Sequence, residues 1–223
     1  MSDHPVLQPL QVHPFDIAYG VDTSGLIWGE QLNTGTLAQN WATGYYGISP
    51  SVFWQALDWL RLEWQRFTFV DIGSGKGRAL MLASRYSFQC LMGVELSPDL
   101  ARAAELNLRH FRAEWRRSVP VHLIIGDAAD FEFPSDPLVL FIYHPFGIPV
   151  LEKLLRNLEL SLQIRPRDVY ILYVNPEYET VLENSAVLEK IGDTCFPLTN
   201  EEIAVDCFGS HDERVVAYRS RQI

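Results

Sequence analysis

Lysine is almost missing from this sequence. Lys76, Lys153 and Lys190 are the only three in 223 residues, and the formal net charge is −10. A surface that tracks phosphates needs an excess of Lys and Arg, so the balance counts against nucleic acid as a partner. The one basic run, RHFRAEWRR (Arg109–Arg117), suits the solvated face and end of a helix, where cations complement the dipole, although it leaves room for a local patch. An acidic chain favours a small molecule or a basic protein as its partner. Cysteine is scarce as well. Cys90, Cys195 and Cys207 are scattered without a CxxC, which excludes a disulfide framework and makes the cytoplasm the expected compartment. No apolar run approaches the roughly 18–20 residues of a membrane span. The opening MSDHPVLQPLQVHPF lacks the basic start and apolar core of a secretory signal. His4, His13, His110, His122, His144 and His211 show no HxxxH spacing and no local carboxylate pattern, so no metal site is expected. There is no internal repeat.

What remains is ordinary for a globular chain: 48% hydrophobic and 21% charged, enough for one sizeable core with an extension. The expected division is a segment over 1–49 and a main domain over 50–223. The first segment is rich in Gly, Thr, Asn and Pro and shows no sustained period. Phe15, Tyr19, Trp28, Trp41, Tyr45 and Tyr46 are too many aromatics for a disordered tail. The expectation is an irregular N-terminal extension, with one short helix, packed on the main domain.

Ser49-Pro50-Ser51 then reads as a helix start. Strands are expected over Phe67–Ile72, Cys90–Leu96, Val121–Ile125, Leu138–Tyr143, Val169–Val174, Ile203–Phe208 and Val215–Arg219. The last two form a hairpin through Gly209-Ser210-His211-Asp212. Helices are expected over Gly77–Tyr86, Pro98 to about Trp115, Val150–Leu162 and Glu177–Leu188. Continuous apolar strands alternating with helices imply an α/β fold: a doubly wound, mostly parallel seven-stranded sheet covered on both faces, with a C-terminal antiparallel hairpin. Ligands of such sheets bind beyond the carboxyl ends of the strands, so the residues just after each strand come under scrutiny.

The first strand runs into Asp71-Ile-Gly73-Ser74-Gly75-Lys76-Gly77-Arg78. Glycines permit a sharp turn and close backbone approach, and the helix that follows presents N–H groups to an anion. A dinucleotide GxGxxG would need glycine at position 78, which is Arg78. A P-loop would need glycine at position 70 and Ser or Thr after Lys76, where Val70 and Gly77 stand. An acidic residue followed by Gly-x-Gly-x-Gly remains, and its bland alternative is a glycine-rich turn without a ligand. Glu95 ends the second strand in LMGVELSP, 24 residues after Asp71. A carboxylate there suits the paired hydroxyls of a ribose, although alone it reads as an ordinary exposed glutamate. Asp127 ends the third strand in IIGDAADF. A turn or N-cap aspartate is its competing explanation.

FVDIGSGKGRAL (Phe69–Leu80) resembles the first motif of class I S-adenosylmethionine (SAM)-dependent methyltransferases, and the resemblance spans roughly Tyr45–Pro176. Small bacterial members of undefined substrate resemble the chain further, including the stretch GVDTSG (Gly20–Gly25). The resemblance implies SAM as cofactor and S-adenosylhomocysteine (SAH) as product. It implies a donor site of Asp71, Gly73, Ser74, Gly75, Gly77, Glu95, Leu96, Asp127, Ala128 and His144. Within it Asp71 serves the methionine amino end, Glu95 the ribose, and Asp127 with the Ala128 N–H the adenine. After the fourth strand comes Tyr143-His144-Pro145-Phe146-Gly147, the catalytic face of such enzymes. Members that methylate adenine or glutamine nitrogens often carry Asn or Asp, Pro-Pro and an aromatic here. His144 and a single proline depart from that pattern. His144 and Tyr45 are therefore the candidate catalytic residues. A histidine satisfied by backbone is the alternative for the first. Tyr173 and Asn175 either line the same cleft or merely close their strand.

The acceptor expected is a small molecule or a protein side chain. Segment 1–49, whose Tyr45-Tyr46-Gly47-Ile48-Ser49-Pro50 weakly resembles the cofactor-covering segment of seven-strand protein-lysine methyltransferases, is expected to act as a lid, with a simple packing arm as the alternative. Rival functions on the same motif are a non-catalytic SAM-binding module and an aminopropyltransferase-like enzyme.

Overall fold

A computed structural model describes residues 10–221; Met1–Pro9, including His4 and most of the opening segment read for a secretory signal, lie outside the described residues. The first elements are a helix, α1 (Pro14–Tyr19), and two short strands, β1 (Leu26–Trp28) and β2 (Gly44–Tyr46), which pair antiparallel with Ile27 opposite Tyr45. This small sheet is absent from the sequence expectation, because three-residue strands separated by Gly-rich chain carry no readable period. Arg78 fastens the segment to the domain. Its buried guanidinium donates to Thr23 Oγ1 (2.6 Å), Thr23 O (2.9 Å) and Gly47 O (3.0 Å), and it pairs with buried Asp16 at 3.8 Å.

The main sheet has seven strands in the order β5-β4-β3-β6-β7-β9-β8. Five are parallel: β3 (Thr68–Ile72), β4 (Cys90–Glu95), β5 (Val121–Ile125), β6 (Leu138–Tyr143) and β7 (Val169–Val174). The last two, β8 (Leu188–Pro197) and β9 (Asp212–Ser220), are antiparallel to each other, and β9 runs antiparallel to β7. The central strands are mostly apolar because both faces are covered; Thr68 and Asp71 of β3 are the polar exceptions. On β6, Val139 and Phe141 face one cluster, with Phe53 and Leu57 of α2 (Pro50–Leu60) and Leu80 of α3 (Arg78–Ala83). Leu138, Leu140 and Ile142 face the other, with Leu151, Leu154 and Leu158 of α5 (Ile148–Ile164). The period of two thus splits each strand between two cores.

Four expectations need correction. Ile203–Phe208 is not a strand. Residues Asn200–Val205 form helix α7, started by a capping box in which Thr199 Oγ1 accepts from Glu202 N and Glu202 Oε2 accepts from Thr199 N (2.8 Å). Its place in the sheet is taken by β8, so the hairpin is β8–β9 and its connection contains α7. The helix expected over Glu177–Leu188 is only α6 (Glu179–Glu183), because Leu188 already begins β8. The helix α4 (Pro98–His110) stops five residues before Trp115; Phe111 turns into the core, and Trp115 packs beside it at 5.4 Å. Likewise α3 ends at Ala83 and not at Tyr86. Among the described residues no helix is long and apolar enough to cross a membrane.

Candidate functional site

The β3–α3 loop turns through three left-handed glycines: Gly73 (φ 82°), Gly75 (φ 52°) and Gly77 (φ 83°). At two of them space also requires glycine. A Cβ on Gly73 would lie 2.4 Å from Pro145, and one on Gly75 would lie 2.3 Å from the Tyr45 ring. The sequence motif is therefore a cradle built for contact, with partners arriving from the β6–α5 loop and from β2.

The three acids converge beside it. Asp71 is buried near the end of β3 and lines a cavity with Gly73 and Ser74; burial, then the Glu95 charge, lifts its carboxyl to about 8. Glu95, also buried, is held at both oxygens by backbone: Oε2 accepts from Gly75 N (2.7 Å) and Oε1 from Ser97 N (2.8 Å). Burial pushes its pKa up, and these N–H groups oppose the rise. The Leu96 N–H also bears on this carboxylate, and a carboxylate has about four acceptor positions, so acceptor capacity remains. Asp127 caps a 3-10 turn by accepting from Ala129 N (2.8 Å), the N–H one residue beyond Ala128.

These groups border two adjoining cavities. The smaller, about 60 Å³, is lined by Glu95, Leu96, Asp127 and Ala128 below and by Leu32, Ala38 and Ala42 above. The larger, about 330 Å³, runs from Asp71 and Ser74 past His144 and Asn175 to Glu213. Gly44, Tyr45, Gly73 and Pro145 border both. Buried Ser74 Oγ has no hydrogen-bond partner.

His144 follows β6 in a left-handed backbone (φ 44°) and lines the larger cavity. Both ring nitrogens have neighbours: Nε2 lies 2.6 Å from Glu177 Oε2 and Nδ1 lies 3.4 Å from the Tyr173 hydroxyl. Its partners are thus side chains and not the backbone. Burial lowers its pKa, and Glu177 opposes that shift. Tyr45 lies differently from a residue with a free hydroxyl. It is buried, it donates to Thr23 O (2.6 Å), and its ring, not its oxygen, meets the glycine loop. Tyr173 approaches His144, whereas Asn175 lines the cavity, so these two part company.

Sequence reading missed the far wall. Because β9 is antiparallel, its first residues reach the edge at which the parallel strands end: Val215 pairs with Val174, and Glu213 lies two residues beyond. Glu213 Oε1 accepts from Tyr143 (2.9 Å), whereas buried Oε2 has no partner; burial lifts the carboxyl to about 7, and the Tyr143 bond opposes this. Asp206, from the β8–β9 connection, accepts from Tyr46 (3.1 Å) and Ser210 N (2.7 Å). Among the described residues, no group of three or more potential ligands could hold a metal ion.

No family model matches the chain, and no curated protein matches it. Solved structures do share its architecture. A SAM-dependent methyltransferase of Leishmania major is 10% identical, with a TM-score of 0.54 over 76% of this chain and 71% of its own. A precorrin-6y C5,15-methyltransferase of Geobacter metallireducens is 18% identical, with 0.52 over 76% and 87%. A ribosomal protein L11 methylase of Lactobacillus delbrueckii is 13% identical, with 0.50 over 77% and 78%. The chain therefore has the Rossmann-like, seven-strand fold of SAM-dependent methyltransferases.

Proposed function

We propose that the smaller cavity with the adjoining Asp71–Ser74 end of the larger forms the donor site, and the remainder of the larger the acceptor site, of a SAM-dependent methyltransferase acting on a small molecule or a protein side chain. The observation that carries this reading is the convergence of the glycine cradle with Asp71, Glu95 and Asp127, one acid at or just after the end of each of three successive strands. Bound SAM supplies a methyl group activated by a sulfonium sulfur. The residues present fit such a group. Glu95 and Asp127 border the smaller cavity with acceptors for ribose hydroxyls and an adenine amine, and Asp71 with the orphaned Ser74 Oγ offers polar partners to an amino-acid end. The protein's own contribution is position: holding donor and acceptor in line lowers the barrier by up to about 7–11 kcal/mol. In this reading His144, oriented by Glu177, borders the reacting centre, and Tyr45 is a wall of it.

A cavity of 60 Å³ is well below the roughly 300 Å³ at which small-molecule sites begin. Its roof of Leu32, Ala38 and Ala42 must therefore lift to admit a nucleoside and close again, which makes the N-terminal segment a lid. The hinge excludes Asp22 and Thr23, which Asn107 and Arg78 clamp to α4 and α3. Hydrogen exchange with and without SAH tests the lid. Peptides over 32–45 gain protection on binding if the roof closes; unchanged exchange there, alongside a protected glycine loop, leaves a packing arm. Incubating the protein and a cell lysate with methyl-labelled SAM tests the activity. Label in an acceptor supports transfer, whereas SAH binding without any transfer supports a non-catalytic module.

A further inference from the structure

Every carboxyl on the larger cavity is buried: Asp71 is 3% exposed, Asp206 3% and Glu213 4%. One of their oxygens, Glu213 Oε2, has no partner in the protein. The lining includes one arginine, Arg78, and its guanidinium is committed to Thr23, Gly47, Ile48 and Asp16. Trp28, Tyr46, Tyr143 and Phe208 supply rings to the same space, the Tyr46 and Phe208 rings meeting edge to face at 5.2 Å. Buried acid, aromatic walls and no uncommitted lysine or arginine are the complement of a desolvated cation. At the Glu213 and Asp206 end, away from Asp71 and Ser74, they oppose an acceptor that carries or develops negative charge, because two carboxylates in one site repel.

We propose that the acceptor is an amine, received as its ammonium form between Glu213 and the rings of Trp28, Tyr46 and Phe208, and that Glu213 takes its proton. The proposal rests on the methyltransferase reading above and names its substrate class. The exchange balances. One N–H bond breaks, the proton passes to Glu213 Oε2, and the nitrogen keeps the electron pair. That pair then forms the new N–C bond as the donor's C–S bond breaks and the sulfur retains the bonding electrons. The positive charge ends on the methylated nitrogen. The position of Glu213 suits the role: it stands on β9, separated from the Asp71 strand by β6 and β7 along the same edge, so a nitrogen beside it faces the donor across His144. Its environment suits it too. Burial raises this carboxyl to about 7, and the same burial lowers an amine from about 10.4, which brings the two groups together. The groups that bear on Glu213 are Tyr143, Asp206, Glu202 and Arg78.

Isothermal titration of SAH-saturated protein with phenethylamine, 2-phenylethanol and phenylacetate tests the proposal without a known acceptor. The amine is expected to bind at least about tenfold tighter than the alcohol, the value of one charge-assisted hydrogen bond, and phenylacetate is expected not to bind. Glu213→Gln should remove the preference for the amine while leaving SAH affinity within about threefold. An alcohol or carboxylate that binds as well as the amine overturns the proposal, as does failure of the amine to bind. Parallel loss of SAH by Glu213→Gln also overturns it, by assigning that carboxylate to the donor. The wild-type comparison needs no variant and decides the matter even where Glu213→Gln does not fold. Wild-type protein that does not bind SAH contradicts the methyltransferase reading itself.

Discussion

The Tyr45 ring lies directly on the backbone of Gly75, so closely that a Cβ on the glycine would come within 2.3 Å of ring atom Cε2. The same tyrosine donates to Thr23 O, which also accepts from Arg78. One contact thus joins the motif loop, the N-terminal segment and α3.

This contact predicts the behaviour of Gly75→Ala. A left-handed alanine costs about 1–2 kcal/mol by itself, and its methyl must displace Tyr45. Thermal unfolding should show a lower midpoint, and SAH affinity should fall about tenfold or more, the usual scale when overpacking costs about 1–3 kcal/mol. Adding Tyr45→Ala should recover part of the affinity, since it removes the clashing ring. Equal losses in the single and double variants would show that Tyr45 and Gly75 act independently.

Asp71 makes stability and binding depend on pH. Folded protein holds this proton up to about 8, whereas an unfolded aspartate loses it near about 4. The native state therefore binds more protons through that interval, and stability falls as pH rises. Glu213, lifted to about 7, adds to the fall. Buried His13, lowered to about 4, has the opposite slope below its ordinary value of about 6.5. Glu213 gives up its extra proton near about 7, so the upper end of the interval, toward about 8, weights Asp71 most. Chemical denaturation there should show falling stability in the wild type and a flatter profile in Asp71→Asn. A ligand with an ammonium beside Asp71 should ionise it and release a proton near pH 7, seen as binding heats that vary with buffer.

His144 predicts a separation of turnover from donor affinity. Its φ of 44° favours Asn over Ala as the test residue, since asparagine tolerates that backbone. His144→Asn should lower transfer of labelled methyl by about 10²-fold while the SAH dissociation constant stays within about threefold. A matching loss of SAH affinity would place His144 in the donor pocket and take it out of the acceptor chemistry.

The parallel half of the fold was legible because burial on both faces makes β6 and β7 near-continuous apolar runs and leaves β3 apolar but for Thr68 and Asp71, and the glycine loop with Glu95 lay in register behind them. The antiparallel end was not. β8 is an edge strand carrying Lys190, Gly192 and Asp193, with a bulge between Lys190 and Gly192, so it has no clean alternation. Thr199 and Glu202 did carry the signal of a helix start, and the mostly apolar stretch after them, Ile203 to Phe208, hid it. Glu213 could not be placed from sequence: its neighbour Tyr143 is 70 residues away, and only the reversed direction of β9 brings the two together. The glycine loop and the acids at or just after the ends of β3, β4 and β5 adjoin their strands directly in sequence, whereas the far wall of the cavity is assembled by topology.

The central claim, that the cradle and its three acids hold SAM, is tested most directly by equilibrium titration with SAH. Wild-type protein should bind in the micromolar range, about −8 kcal/mol. Glu95→Ala should weaken binding by about 1–3 kcal/mol, since it removes both potential ribose contacts and the anchor of Gly75 N. Gly75→Arg, folded by circular dichroism, should not bind at all. Undiminished binding by folded Gly75→Arg, or no binding by the wild type, would contradict the account.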